Sequence, residues 1–150
     1  VAAPQAGAGP APAAELSRIA AWSMVHDDPG QAPYGWSHAL TMPQAVMSLA
    51  GRGVPARVAF AVAATYLLGF RMAHGLTALP AEIGPGRAPS AGWEELVSYA
   101  AAHDDAHLVK YTLAAVHAAT DDPEFAPLYA AAAHHLCEWW AARPPAQQPL

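Results

Sequence analysis

Apolar residues recur three or four positions apart along most of the chain, a spacing typical of amphipathic helices. Clusters of Gly, Pro and Asp separate these segments and mark turns. We predict helices over 15–26, 42–50 and 55–74, a fourth from 90 or 92 toward 103, a fifth capped by Asp104 or Asp105 and running to 119, and a last one over 122–142. The alternative is that the fourth and fifth form one bent helix. No segment shows convincing two-residue alternation. The pattern therefore predicts an all-α fold, a compact bundle of about five to six helices.

Both ends of the chain differ in composition from the helical part. After Val1, residues 2–14 are Ala, Pro and Gly with one Gln, and residues 143–150 contain three prolines. Such segments bury too little apolar surface to order themselves. We expect a flexible linker over 1–14, one helical domain over 15–142 and a flexible tail over 143–150.

Two local patterns carry specific structural predictions. The run Thr41-Met-Pro-Gln44 has the form of a capping box, which places a helix start at about Met42. The longest apolar stretch, Val58 to Phe70, lies between Arg57 and Arg71 and is shorter than a bilayer requires. We interpret it as a buried helix at the centre of the core, not as a transmembrane span.

Charge and composition narrow the classes of partner. Only 13% of the residues are charged while 54% are hydrophobic, so part of the apolar surface is expected to contact another chain or a missing part of the same chain. The net charge of −5 and the lack of a Lys/Arg cluster argue against nucleic acid and anionic membranes. A single cysteine, Cys137, allows no internal disulfide, and no leader-like pattern is visible. We expect a cytoplasmic protein.

The only lysine of the chain, Lys110, follows His107 by three positions. At helical spacing, His103, His107, Lys110 and His117 lie along one line, beside an apolar stripe of Leu108, Val109, Thr112, Leu113 and Val116. If the apolar stripe faces the core, the polar line contacts something that tolerates imidazoles and an amine. A metal site or a substrate cavity would satisfy this requirement.

Lys110 admits three chemical roles. A protonated amine cannot ligate a metal, but burial favours the neutral form, which can form a Schiff base or take up carbon dioxide. The resulting carbamate would behave as a carboxylate, so His107 and Lys110 would supply one nitrogen and one oxygen to a metal. The simpler alternative is a solvated lysine paired with Asp104 or Asp105, with the histidines in polar interior contacts.

His38 is the next candidate ligand because it precedes a predicted helix in a segment that must turn sharply. A hydrogen bond from its ring to the backbone is the alternative. His74 fits better as a cation at a helix C-terminus, and His134, His135 and Glu138 lie in a segment typical of packing.

The segments Trp36-Ser-His-Ala-Leu-Thr-Met-Pro-Gln44 and His103-Asp-Asp-Ala-His-Leu-Val-Lys-Tyr-Thr-Leu-Ala114 resemble the C-terminal half of questin oxidase-like proteins, over roughly residues 34–140. These are helical oxygenases associated with ring opening of anthraquinones and related polyketides. The resemblance implies a non-heme Fe(II) site built from histidines and a carbamylated lysine, with His38, His107 and Lys110 as ligands from this half. Trp36, Tyr111 and Trp93 would line the cavity of an aromatic substrate, and Tyr111 joins Lys110 as a candidate catalytic residue.

Family members are usually more than twice this length, and their remaining histidine ligands come from an N-terminal half that this chain lacks. The missing ligands would come from a second polypeptide, from His103 or from His74. The remaining alternative is that the metal site stays incomplete. Two other functions remain open. A His-Asp metal-dependent phosphohydrolase would use His103 and Asp104, and a non-catalytic helical binding module would use no metal.

Overall fold

The computed structural model describes residues 12–50 and 52–143, and over these residues the chain is helical without strands. The α-helices are α1 (Pro12–His26), α2 (Ser37–Met47), α3 (Ala56–His74), α4 (Trp93–Ala101), α5 (Ala106–Asp121) and α6 (Ala126–Ala141). A 3₁₀ turn, Pro29–Gln31, and a π-helical turn, Ala32–Trp36, connect α1 to α2. A second 3₁₀ turn, Pro123–Phe125, precedes α6. The predicted all-α bundle is confirmed.

The core lies between α1, α2, α5 and α6, which pack against one another. Its largest fully buried side chains are Trp36, Tyr111, Tyr129 and Trp140. Alanines at one- and two-turn spacing on α5 and α6 bring these two helices close together. The small residues of the sequence therefore serve helix packing, while a few large aromatic side chains fill the remaining volume.

The predicted boundaries are confirmed for some helices and shifted for others. Helices α4 and α5 are separate, and Asp105 is the N-cap of α5. Helix α1 begins at Pro12, so Ala13 and Ala14 are helical although we expected a linker there. The rest of the predicted linker, residues 1–11, and the predicted tail residues 144–150 lie outside the described part of the chain.

The predicted capping box at Thr41 is wrong. Helix α2 begins at Ser37, so Thr41 lies in its second turn and its Oγ1 donates to the Ser37 carbonyl at 3.0 Å. Gln44 does not reach back to the helix start, since its Nε2 donates to the Ala114 carbonyl of α5 at 3.0 Å. The π-helical turn runs directly into α2, and the Ser37 N–H donates to Ala32. The Ala32 carbonyl in the preceding turn thus accepts from a backbone N–H at the start of α2 that would otherwise need a side-chain cap.

Helix α3 is not the central core helix that we predicted. Only Ala59, Ala63 and Leu67 are buried, and this row packs against α1 and α2. The opposite side is exposed and apolar. Because the segment is apolar on all sides, its sequence does not indicate which side is buried. Tertiary packing covers only the side that contains Ala59, Ala63 and Leu67. By length and composition alone, with a mean hydropathy of 1.3, α3 meets the requirement for crossing a membrane.

The apolar stripe predicted on α5 is partly wrong. Leu108 and Thr112 are buried as expected, but Val109 and Leu113 are exposed. The buried face contains Tyr111, Ala114, Ala115, Ala118 and Ala119 instead. The buried stripe is therefore rotated toward Tyr111 and Ala115, which leaves His107 at its edge and Lys110 outside it.

Candidate metal site

His38 is the second residue of α2, and its position follows from the π-helical turn before that helix. Its Nδ1 makes a hydrogen bond with the main-chain carbonyl of Tyr34. A carbonyl oxygen can only accept, so Nδ1 carries the proton and Nε2 keeps its lone pair. Gly35 allows this turn to approach α3, because a Cβ atom at Gly35 would lie 2.5 Å from Cζ of Phe70. The backbone therefore fixes the tautomer in which His38 can ligate through Nε2.

His107 is the second residue of α5 and is fixed by the N-cap residue Asp105. Oδ1 of Asp105 accepts from the main-chain N–H of His107 at 2.7 Å and faces its Nδ1 at 3.2 Å. The other carboxylate oxygen lies 3.5 Å from the Tyr34 hydroxyl, and the Tyr34 ring meets the His107 ring edge-on at 4.7 Å. A hydrogen bond from Nδ1–H to the carboxylate leaves Nε2 of His107 free to ligate.

The two imidazoles meet at one pocket between α2 and α5. Their ring centroids are 5.1 Å apart and the ring planes are nearly perpendicular, at 80°. The pocket has a volume of about 260 Å³. Its lining consists of Ser37, His38, Thr41, Met42, Ala45, His107 and Lys110. Three of the four residues predicted as metal ligands, His38, His107 and Lys110, therefore share one cavity although they come from two helices.

Lys110 lies at the exposed side of this pocket, one turn after His107. Within the described part of the chain it has no ion-pair partner, so the alternative pairing with Asp104 or Asp105 is not formed. The Asp105 carboxylate is used by His107 and Tyr34 instead. Lys110 lines the pocket together with the two imidazoles, but it is exposed, so the burial that we expected to favour its neutral form is not observed.

His103 and Tyr111 lie away from this pocket. The Nδ1 atom of His103 accepts from the Asp105 N–H at 3.0 Å, and its ring packs 4.9 Å from Trp140. Tyr111 is fully buried in the core, where burial raises the pKa of its phenol well above the ordinary value. Neither residue lines the cavity that contains His38, His107 and Lys110.

The other aromatic residues predicted to line a substrate cavity pack elsewhere. Trp36 is buried, donates from Nε1 to the Asp28 carbonyl at 3.0 Å and meets Phe70 edge-on at 4.8 Å. Trp93 is half-buried at the start of α4, beside a separate surface pocket of about 270 Å³. Trp36 belongs to the core and Trp93 packs against it, and neither residue lines the pocket of His38 and His107.

The remaining histidine candidates are also separate from the pocket. His74 lies in the last turn of α3 against the Phe70 ring, with the centroids 4.6 Å apart. On α6, Nδ1 of His134 lies 3.6 Å from Oε2 of Glu138. Burial lowers the pKa of the neighbouring His135. Across residues 12–50 and 52–143 no three His, Cys, Asp or Glu side chains are grouped to hold a metal.

Two residues of the site were missed by sequence reasoning. Asp105 was predicted only as a helix cap or a lysine partner, and Tyr34 was given no role. The sequence signal for Asp105 is its position two residues before a histidine at a predicted helix start. An N-cap carboxylate at that position reaches the N–H groups of the residues that follow it. Nothing in the sequence pairs Tyr34 with Asp105, since that contact depends on how α2 and α5 pack.

Comparison with known proteins adds no assignment. No protein family model, no curated protein and no solved structure matches this chain. Its candidate function therefore rests on the geometry of the pocket, on the residues that line it and on the resemblance of the two sequence segments quoted above.

Proposed function

We propose that this chain forms the metal-binding part of a non-heme Fe(II)-dependent oxygenase, with His38 and His107 as nitrogen ligands and Lys110, as a carbamate, as the oxygen ligand. The observation that carries the proposal is that both imidazoles line one pocket with Nδ1 engaged and Nε2 free. Metal-ligating histidines in proteins commonly donate from the other ring nitrogen to a carboxylate or a backbone carbonyl. Nδ1 of His107 has a carboxylate partner, Asp105, and Nδ1 of His38 has a backbone carbonyl partner, that of Tyr34.

The donor set also favours iron over several other metals. Two imidazoles and one carboxylate-like oxygen correspond to the ligands of non-heme Fe(II) oxygenases, which keep open positions for dioxygen and substrate. When bound, ferrous iron supplies activation of dioxygen toward an electron-rich aromatic ring. The three side chains hold the ion, and Asp105 and the Tyr34 carbonyl keep the imidazoles in the ligating tautomer.

The substrate class is proposed from the resemblance to questin oxidase-like proteins, whose substrates are anthraquinones and related aromatic polyketides. The pocket of about 260 Å³ lies below the range of about 300–1,000 Å³ usual for ligand sites. A tricyclic aromatic molecule would thus be only partly covered by this chain. This supports the proposal that a second polypeptide completes the site and encloses the substrate.

Metal binding by the purified chain tests the proposal directly. We expect Fe(II), added without oxygen, and Co²⁺, used as a spectroscopic substitute, to bind at one site. His38→Ala and His107→Ala should each lower the bound metal strongly. His134→Ala is the matched control, because His134 is half-buried on α6 outside the pocket. Equal metal content in the wild type and both pocket variants would refute the site.

The role of Lys110 is tested by labelling with ¹³C-bicarbonate. A carbamate should give a ¹³C signal that is lost in Lys110→Arg, which keeps the positive charge but cannot form the same lysine carbamate. Lys110→Ala should also reduce Fe(II) binding and oxygen uptake with a reduced anthraquinone. Unchanged iron content and oxygen uptake in Lys110→Ala would remove the lysine from the site.

A further inference from the structure

The exposed side of α3 is a continuous apolar face opposite the row that packs against α1 and α2. The large side chains on this face are strongly exposed, at 43% for Val58, 46% for Val62, 48% for Leu68 and 90% for Met72. Every residue of α3 from Val58 to Phe70 is uncharged. The residues of this face, called the α3 face below, are Val58, Ala61, Val62, Thr65, Leu68, Gly69 and Met72.

The α3 face is symmetric about Thr65. At three positions on either side of Thr65 stand the large apolar residues Val62 and Leu68. The small residues Ala61 and Gly69 lie four positions before and after Thr65. Val58 and Met72 lie seven positions before and after it. All of these offsets return to the same side of a helix. A two-fold axis through Thr65 therefore places each residue against one of matching size in an antiparallel copy.

Gly69 has no packing role within residues 12–50 and 52–143, which the structure describes. A Cβ atom added to it would meet nothing within 4 Å, although glycine inside a helix is unfavourable compared with alanine. Ala61, one turn on the other side of Thr65, is also small and exposed. Ala61, Thr65 and Gly69 follow one another at one-turn spacing, and small residues in this pattern allow a second helix to approach closely. The pattern thus favours a helix as the group that covers the α3 face.

We propose that the α3 face is the two-fold interface of a homodimer, with α3 antiparallel to α3 of a second copy and Thr65 at the axis. An isologous interface requires a self-complementary patch, and the symmetric order of large and small residues provides one. The absence of charge from Val58 to Phe70 removes like-charge repulsion between identical faces. An unrelated partner would not require this symmetry.

The dimensions of the α3 face set the expected strength of the dimer. A helix of 19 residues is about 28 Å long and about 10 Å wide with its side chains. One helix against one helix covers much less than the roughly 800 Å² per partner of a standard stable interface. We therefore expect a micromolar dimer in rapid exchange, so its population must rise with protein concentration.

Cysteine crosslinking tests both the contact and its direction. Thr65→Cys should form a disulfide-linked dimer under mild oxidation, because the two copies of this residue face each other at the axis. Ala61→Cys and Gly69→Cys should crosslink poorly alone but efficiently when mixed. Ser98→Cys on the exposed side of α4 is the control and should remain monomeric. The native Cys137 is buried and does not compete.

The outcome of mixing distinguishes the proposal from its alternatives. Efficient crosslinking of Ala61→Cys with itself and no mixed product would indicate a parallel pair and overturn the proposal. Sedimentation equilibrium should show a dimer that Gly69→Leu weakens at least tenfold, since leucine blocks the close approach. A chain that stays monomeric up to near-millimolar concentration would overturn the proposal. So would a monomer that floats with phosphatidylcholine vesicles, because a bilayer would then cover the α3 face.

Discussion

The carboxylate of Asp105 holds His107 at two points, through the main-chain N–H at 2.7 Å and through Nδ1 at 3.2 Å. One oxygen atom therefore caps α5 and orients the imidazole. The other oxygen contacts the Tyr34 hydroxyl, and the Tyr34 carbonyl accepts from His38. Asp105 and Tyr34 thus connect the two proposed ligands behind the pocket, and the folding of the α5 start and the geometry of the site depend on the same contacts.

Asp105→Ser should separate the helix cap from the positioning of the ring. Serine is as good an N-cap as aspartate, so we expect the stability of the fold to stay within about 0.5 kcal/mol of the wild type. Its shorter side chain cannot support Nδ1 of His107 as well. Loss of such a contact lowers metal affinity by about 10- to 100-fold, which Co²⁺ titration would measure alongside thermal unfolding.

Asp105→Asn is the matched variant for this experiment. The amide oxygen can still accept from both nitrogens of His107, so Co²⁺ affinity should fall less than in Asp105→Ser. If Asp105→Ser bound Co²⁺ as tightly as the wild type while His107→Ala did not, Asp105 would have no role in positioning the ligand.

Asp122→Asn should destabilise the protein more than any nearby surface change. The Asp122 carboxylate accepts from Nε and Nη2 of Arg18, both at 2.7 Å, and from the Tyr129 hydroxyl at 2.9 Å. Removing the negative charge leaves the largely buried guanidinium without its partner, which costs about 3 kcal/mol. Urea unfolding measures this loss. The control is Asp121→Asn, an exposed neighbour whose substitution should change stability by less than about 0.5 kcal/mol.

The same contact predicts a loss of stability in acid. Hydrogen bonds from Arg18, and then from Tyr129, lower the pKa of Asp122 below its ordinary value of 3.8. Because the folded-state pKa is the lower one, the contribution is fully present above pH 4 and decreases as the pH falls through the folded-state value. The free energy of unfolding of the wild type should therefore drop below pH 4 more steeply than that of Asp122→Asn. Parallel pH profiles would contradict this assignment.

The helical class was predictable because apolar spacing and turn residues agree along most of the chain. Asp105 is the N-cap of α5, and it is one of the two cap residues, Asp104 and Asp105, that the sequence predicted. Which side of α3 is buried was not predictable, since a segment that is apolar all round has no amphipathic signal. The start of α2 was missed because a π-helical turn, which has no sequence signature here, replaces the expected cap.

The candidate site was predictable only in part. The spacing of His107 and Lys110 on one helix places them on one side of it, and both line the pocket. That His38 lies beside His107 depends on the packing of α2 against α5, which no local pattern specifies. His103 fits the same helical line, but it precedes the helix start at Ala106, so helical spacing does not apply to it.

Asp27→Ala should release the segment after α3 and strongly destabilise the fold. Asp27 forms a buried ion pair with Arg71, and its Oδ1 accepts from the N–H groups of Leu76 at 3.0 Å and Thr77 at 2.9 Å. The substitution leaves the buried Arg71 charge unpaired, at a cost of about 3–5 kcal/mol. Chemical denaturation measures the loss, with the exposed Asp104→Ala as the control.

A second substitution identifies the cause of this loss. Arg71→Met in the Asp27→Ala background removes the unpaired charge, so the double variant should be more stable than Asp27→Ala alone. If the double variant were the less stable of the two, the unpaired charge would not be the main source of the destabilisation.

Cys137 should be unreactive in the native protein. Burial on α6 raises the pKa of its thiol to about 11, so the thiolate that reacts with alkylating agents is scarce at neutral pH. We expect iodoacetamide to label Cys137 only after unfolding in guanidinium, whereas Ser98→Cys gains one rapidly labelled thiol on the exposed side of α4. Mass spectrometry after a timed reaction distinguishes the two sites. Rapid labelling of Cys137 in the native wild type would show that α6 opens readily, because the thiol must reach solvent before it can react.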